Sequence, residues 1–193
     1  MLKRRTLLGR GLAAIGLARG FGCRRDASPP QAASAPTTQA AVRRWLTVEK
    51  KVSIPLASVN APWQPVRFRV ICPLPEDAPG GMTRIALKGL LLRLPPDGPG
   101  AAEERLRAYC ITCPHELCDI NFVPNTRYVK MDRGRPPSHP LFVCPCHFSV
   151  YDPLADGAVI SGPAPRGVFR FAIDVVEDRI EVSAVEKEVA YVT

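Results

Sequence analysis

Residues 113–118 read Cys-Pro-His-Glu-Leu-Cys, and residues 144–152 read Cys-Pro-Cys-His-Phe-Ser-Val-Tyr-Asp. These two segments, called here the first and second boxes, hold four of the seven cysteines and two of the three histidines. Thiolate and imidazole are ligands that transition metals prefer in proteins. A Cys-x-His pair and a Cys-x-x-His pair therefore predict a metal site on two loops, each of which offers one sulfur and one nitrogen.

The sequence around the boxes has the pattern of short strands. Within residues 65–72, four apolar side chains alternate with Arg67, Arg69 and Ile71, which is the two-residue period of a half-buried strand. Further strand segments are predicted at residues 83–94, 105–112, 168–175 and 179–185, the last two as a hairpin around residues 176–178. Residues 113–165 do not fit strands. The pattern predicts an antiparallel all-β domain over residues 45–193.

The two boxes resemble those of the Rieske proteins, and the resemblance covers about residues 105–185. It implies a β-sandwich with a small cluster-binding subdomain at about residues 110–165. It also implies a [2Fe–2S] cluster, because two thiolates suit one iron and two imidazoles suit the other. By the family pattern the ligands are Cys113 and Cys144 on one iron and His115 and His147 on the other.

The resemblance also implies roles for residues around the cluster. The high-potential branch of the family has a disulfide between the two loops, at positions that Cys118 and Cys146 occupy here. Ser149 and Tyr151 match hydroxyl residues that donate hydrogen bonds to a cluster sulfide and a cysteine sulfur. A third, proline-rich loop that shields the cluster is matched by Gly162, Pro163, Ala164 and Pro165.

Two features depart from the family pattern. Phe148 stands where the family usually has Gly, and the segment between the boxes, residues 119–143, is longer than usual and partly basic and proline-rich. This insertion is interpreted either as a docking element for a partner subunit or as a solvated segment without a role. His139, within it, is predicted to be exposed to solvent and not to bind metal.

The alternatives for the cysteines concern zinc and a second disulfide. A structural zinc could use the same four ligands, but it would leave the paired cysteines, the hydroxyl residues and the proline loop unexplained. Cys72 and Cys110 lie on predicted strands. They either form a disulfide, as an oxidising compartment permits, or remain two buried thiols.

The N-terminal segment predicts export. Residues 1–44 carry the whole net charge of +8, while residues 45–193 contain seventeen residues of each sign, so no basic face for nucleic acid is expected. Residues 1–25 begin with a twin-arginine signal, Lys3-Arg4-Arg5, before a short apolar run that is interrupted by charge and too short to span a membrane. Cys23 is either a lipidation site or is removed by cleavage near residues 33–35. Residues 26–44 are predicted to be a flexible linker. We expect a periplasmic protein or one on the outer face of the cytoplasmic membrane.

The implied function is electron transfer at high potential, since neutral imidazole ligands and hydrogen bonds to sulfur both favour the reduced cluster. The chain is expected to be an electron-transfer subunit and not a complete enzyme. One assignment is the Rieske subunit of a quinol:cytochrome c reductase-type chain, with cytochrome b, a c-type cytochrome and quinol as partners. The other is the small subunit of an exported molybdenum oxidoreductase of the arsenite oxidase type. A proton-coupled site suits the first, and the lack of a predicted membrane span suits the second. A zinc-stabilised binding module is the alternative from another class.

Overall fold

The computed structural model describes residues 44–97 and 105–192 of the 193-residue chain. The predicted export signal and almost all of the predicted linker lie outside these residues. The described part contains ten strands and four short 3-10 segments, with no α-helix. None of its helical segments has the length and apolar character needed to cross a membrane. The all-β prediction is confirmed.

The strands pair into three antiparallel sheets. In chain order the strands are β1 (Trp45–Pro55), β2 (Val66–Pro73), β3 (Arg84–Arg93), β4 (Leu106–Cys110), β5 (Asn121–Val123), β6 (Leu141–Val143), β7 (Val150–Asp152), β8 (Ala158–Ser161), β9 (Phe171–Val176) and β10 (Arg179–Glu186). Two three-stranded sheets, β1-β10-β9 and β2-β3-β4, form what we call the base sheets. The third sheet, β5-β6-β7-β8, falls within the predicted cluster-binding subdomain.

The base sheets enclose the first hydrophobic core. On β2 the side chains of Phe68, Val70 and Cys72 are buried while Arg67 and Arg69 are exposed, as the alternation predicted. The β9–β10 hairpin closes over residues 177–178. It supplies buried Phe171, Ile180, Val182 and Val185 to the same core.

The third sheet is where the sequence prediction was wrong. Residues 113–165 contain four strands of three or four residues each. Such strands are too short to show a two-residue alternation, so their sequence carries no periodic signal. They are held by pairing and by burial of Leu141, Phe142, Val150 and Tyr151.

Strand β4 connects the first core with a second hydrophobic core, which includes Ile120, Phe142 and Tyr151. Leu106, Ala108 and Cys110 point into the first core, and Tyr109 lies in the second core with Phe142 in edge-to-face contact. Packing on both faces fixes the position of β4. It therefore also fixes the position of the first box, which begins three residues after the strand ends.

Cys72 and Cys110 are free, buried thiols. Strand β3 lies between their strands. Neighbouring strands are about 4.8 Å apart, so these Cα atoms are separated by at least about 9 Å, beyond the roughly 7 Å limit for a disulfide. Burial raises the pKa of Cys72 to about 12 and that of Cys110 to about 11, which leaves both neutral. The structure therefore agrees with the interpretation in which Cys72 and Cys110 remain two buried thiols and not with the one in which they form a disulfide.

Candidate metal centre

The first box folds into a single tight turn directly after β4. The Leu117 N–H donates to the Cys113 carbonyl at 3.0 Å, and the Cys113 N–H donates to the Cys118 carbonyl at 2.8 Å. Leu117 has a φ of 57°, in the left-handed region that side chains other than glycine rarely adopt. The turn places Cys113 in the core and His115 at the surface.

The second box repeats this construction between β6 and β7. The Phe148 N–H donates to the Cys144 carbonyl at 3.0 Å, and the Cys144 N–H donates to the Ser149 carbonyl at 2.9 Å. Phe148 has a φ of 58°, which explains why glycine suits this position, and its side chain is 65% exposed. The two turns therefore present equivalent positions, a cysteine at the start and a histidine near the apex.

The two cysteines meet inside the protein. The Cys113 and Cys144 side chains are buried and lie within hydrogen-bonding reach of each other. Burial raises the pKa of the Cys144 thiol, and the N–H groups of Cys146 and His147 act against this by donating to its sulfur. The Tyr151 hydroxyl lies 3.1 Å from the Cys113 sulfur, so it can donate to a thiolate there. Burial, with the adjacent Cys113, raises the pKa of Tyr151, which keeps this hydroxyl protonated.

The two histidines lie together on the solvent side. The His115 and His147 ring centroids are 4.9 Å apart with perpendicular planes, and their side chains are 28% and 45% exposed. The His115 Nδ1 atom is buried and has no hydrogen-bond partner among the described residues. The carboxylate of Glu116 lies 4.0 Å from His115 Nε2 and 3.7 Å from His147 Nδ1. Each of these three residues has one potential ligand atom that lies within 4.8 Å of those of the other two.

A disulfide between Cys118 and Cys146 joins the two boxes. It links positions separated by 28 residues in the sequence, and the two Cα atoms are 6.5 Å apart. Loop closure of this kind fixes one box relative to the other in the folded state and restricts the unfolded chain.

The proline-rich loop packs against the second box. Ala164 N–H donates to the fully buried Ser149 Oγ at 3.1 Å. Gly162 has a φ of 88°, and a Cβ on it would lie 2.5 Å from the Ser149 Cα atom. Only glycine allows this approach. The loop therefore covers the second box at the residues that follow His147.

These residues fit a [2Fe–2S] cluster. Two buried sulfurs and two partly exposed imidazoles supply the mixed donor set that such a centre requires. The unpartnered, buried Nδ1 atom of His115 fits a metal ligand, because a buried polar atom without a partner is otherwise costly. The individual ligand assignments to Cys113, His115, Cys144 and His147 stay predictions.

Three polar residues near the site were missed or misjudged from the sequence. Glu116 was not singled out, although its place inside the first box is a usable signal. Asp132, in the insertion, accepts a hydrogen bond from Gly162 and had no sequence signal. His139 was predicted to be exposed, which is wrong. It is half-buried, stacks on Trp63 at 5.9 Å and lies 2.7 Å from the Asp152 carboxylate.

Comparisons with known proteins agree with this site. The family model "Rieske [2Fe-2S] domain" matches residues 68–172. The iron-sulfur subunit of the cytochrome b6-f complex from Prochlorococcus marinus is 48% identical over 42 residues, which is 22% of this chain and 22% of that protein. The chain thus matches only about a fifth of that relative's length.

A solved structure, the soluble domain of Rieske protein II from Sulfolobus acidocaldarius, aligns with 77% of this chain and 70% of its own. The sequence identity is 18% and the TM-score is 0.35. The family assignment depends on the family model, which covers more than half of the chain, including both boxes. The chain belongs to the Rieske [2Fe-2S] domain family and is an iron–sulfur electron-transfer protein.

Proposed function

We propose that this chain is the high-potential iron–sulfur subunit of a quinol:cytochrome c reductase-type complex. The observation that carries the proposal is the Tyr151 hydroxyl 3.1 Å from the Cys113 sulfur, in a pair of boxes joined by the Cys118–Cys146 disulfide. The hydroxyl and the disulfide are the features that the resemblance associates with the high-potential branch.

The proposed ligand set divides the site into an inner and an outer side. When bound, the cluster takes up and gives back one electron. Cys113 and Cys144 hold the inner side, where the buried Tyr151 and Ser149 exclude water from the sulfurs. His115 and His147 hold the outer side, where their partly exposed rings offer the shortest route for an electron to or from a partner protein.

Hydrogen bonds to sulfur raise the potential because they are stronger when the site carries an additional negative charge. Tyr151 is placed to donate to Cys113. Ser149 Oγ accepts from the Ala164 N–H, and its hydroxyl also forms a hydrogen bond with Tyr151; we propose that this proton turns to a cluster sulfide when the cluster is bound. Both hydroxyls are buried, where a charge-assisted hydrogen bond is stronger than in water.

The proposed partners are a cytochrome b, a c-type cytochrome and quinol. The matched relative is named as a subunit of a cytochrome complex, which supports this assignment. We further propose export by the twin-arginine route, with residues 1–25 as signal and 26–44 as linker, to the periplasm or the outer face of the cytoplasmic membrane. Residues 45–193 would then form the electron-transfer domain.

Affinity purification of the tagged full chain from its native membranes tests the complex. The proposal expects a cytochrome b to co-purify, together with quinol-dependent reduction of a c-type cytochrome by the purified complex. A His147→Ala chain, purified in parallel, should retain the partner and lose the electron transfer. Co-purification of a molybdenum subunit in place of the cytochrome b would instead support the arsenite oxidase-type assignment and reject this one.

A further inference from the structure

The insertion between the boxes, residues 119–143, is attached to the cluster-binding subdomain at several points. The Thr126 hydroxyl donates to the Pro137 carbonyl at 2.6 Å, which joins the two halves of the insertion. Near its end His139 binds the Asp152 carboxylate at 2.7 Å. The sequence left two interpretations of the insertion, a docking element or a solvated segment without a role. These bonds disfavour the second one.

A further attachment is formed by Asp132, and it reaches the start of the proline-rich loop. The Asp132 carboxylate accepts a hydrogen bond from the Gly162 N–H at 2.6 Å, and the Asp132 N–H donates to Ser161 Oγ at 2.8 Å. The Gly162 N–H, with the Ser161 hydroxyl, holds the pKa of Asp132 below its ordinary value, so the carboxylate is ionised at neutral pH. Ser161, the last residue of β8, and Gly162, the first residue of the loop, are thus both held by one residue of the insertion.

The loop that Asp132 holds at Gly162 contacts the second box at two of its residues, Gly162 and Ala164. Gly162 lies so close that an added Cβ would be 2.8 Å from the Ser149 N atom and 3.0 Å from the Phe148 carbonyl oxygen. Two residues further on, Ala164 N–H donates to Ser149 Oγ. A displacement of the loop at Gly162 would therefore move the donor that orients the Ser149 hydroxyl.

We propose that Asp132 is a positioning residue, which holds the proline-rich loop against Ser149 and so keeps the Ser149 hydroxyl aimed at a cluster sulfur. This inference rests on the proposed function, because it needs Ser149 to donate to the cluster. It assigns the insertion a role inside the molecule, that of adjusting the reduction potential from a surface residue.

The direction of the effect separates positioning from simple electrostatics. Asp132 is an exposed anion. If it acted only through its charge, its removal would make the cluster easier to reduce and raise the potential. If it acts through Ser149, its removal weakens a hydrogen bond that favours the reduced state, and the potential falls.

Protein-film voltammetry of the holoprotein tests this with four variants: Asp132→Ala, Asp132→Asn, Ser149→Ala and the Asp132→Ala/Ser149→Ala double variant. We expect Asp132→Ala to shift the equilibrium constant for reduction at least threefold towards the oxidised form, which is about 28 mV at 59 mV per tenfold for one electron. Asp132→Asn keeps an oxygen acceptor for Gly162 without the charge, and its potential should not fall below wild type. In the double variant the Asp132 change should add nothing to the effect of Ser149→Ala.

The possible outcomes distinguish the inference from the proposed function. A lowered potential in Ser149→Ala with an unchanged or raised potential in Asp132→Ala rejects the positioning role and leaves the proposed function standing. Additive shifts in the double variant reject the positioning role as well. An unchanged potential in Ser149→Ala rejects the proposed hydrogen bond and the inference with it.

Hydrogen exchange measured by mass spectrometry gives a readout that does not depend on the potential. Peptides covering residues 158–167 should exchange faster in Asp132→Ala than in wild type, while Arg133→Ala, a change of the neighbouring exposed residue, should leave them unchanged. Equal protection in Asp132→Ala and wild type overturns the inference. If Asp132→Ala does not yield holoprotein, Ser161→Ala removes the other half of the attachment and is subject to the same two measurements.

Discussion

The base sheets and the cluster-binding subdomain reach their folded state in different ways. The base sheets contain strands of five to eleven residues, of which β2 alternates between a buried and an exposed face, and burial of apolar side chains stabilises them. The subdomain has strands of three or four residues, which are too short to be stable alone. Its order depends on strand pairing, on the second core and on the disulfide between the boxes, and we expect a bound cluster to add to these. Changes at the cluster should therefore disturb the subdomain and leave the base sheets folded.

The largest effect is expected from the proposed ligands. Changing Cys113, His115, Cys144 or His147 to Ala should abolish the Rieske electron paramagnetic resonance signal, because each removes one of the four donors. His139→Ala is the matched control, since it alters the remaining histidine, and it should retain the signal. A normal signal in His147→Ala would remove that residue from the ligand set.

The disulfide should come next in size. Cys118→Ser or Cys146→Ser should destabilise the subdomain by about 2–4 kcal/mol, the usual contribution of such a bond. The cluster should then be lost faster on standing, as followed by visible absorbance. Cys72→Ala is the control from the first core: it should lower the free energy of unfolding of the base sheets without speeding cluster loss. Mass spectrometry that finds both Cys118 and Cys146 as free thiols in the holoprotein would contradict the account.

Tyr151→Phe should lower the reduction potential by roughly 40–85 mV. This assumes that a hydrogen bond to a charged group is worth roughly 1.5–3 kcal/mol, with about 1–2 kcal/mol as the difference between redox states, and ~59 mV per 1.4 kcal/mol. Tyr109→Phe is the matched control. Its hydroxyl is also buried but donates to the Pro153 carbonyl, so its loss should affect stability and not the potential. Equal shifts in the two variants would show that the hydroxyl at Tyr151 has no special effect.

The smallest effect concerns the strained turn at Phe148. A side chain with a Cβ at a φ of 58° costs roughly 1–2 kcal/mol of stability. Replacing Phe148 with glycine removes this strain, but part of the gain is lost because glycine has greater conformational freedom in the unfolded chain. Phe148→Gly should therefore stabilise the holoprotein by up to about 1 kcal/mol, measured as a higher urea midpoint for loss of the cluster absorbance. Phe148→Ala keeps the Cβ and the strain and should give no gain. A lower midpoint for Phe148→Gly would show that the ring stabilises the turn by contacts.

The sequence predicts most of the base sheets and the position of the cluster site for different reasons. Strands such as β2 are long enough for alternation to be recognised, and the boxes carry their chemistry in residue type and spacing. What the sequence cannot give are contacts that depend on the tertiary fold. The bonds from Asp132 to Gly162 and from His139 to Asp152 join residues 30 and 13 positions apart, and no local pattern indicates either one.

Two local errors have equally physical origins. Alternation along residues 105–112 puts Tyr109 on the face opposite Leu106, Ala108 and Cys110, yet Tyr109 is fully buried, since β4 is covered on both faces by different cores. His139 lies in a proline-rich segment that suggests exposure, but with stacking on Trp63 and the bond to Asp152 only 23% of its side chain is exposed. In both cases a second packing partner, supplied from elsewhere in the chain, overrides the local pattern.

The reduction potential of the wild-type holoprotein tests the central claim most directly. Protein-film voltammetry at fixed pH should give a one-electron couple in the upper half of the range of Rieske centres, which runs from roughly −150 to +300 mV. The Tyr151 hydroxyl beside the Cys113 sulfur acts in that direction, because a hydrogen bond to sulfur favours the additional negative charge of the reduced state. A couple near the lower limit of that range, with the disulfide intact, would contradict the assignment to the high-potential branch.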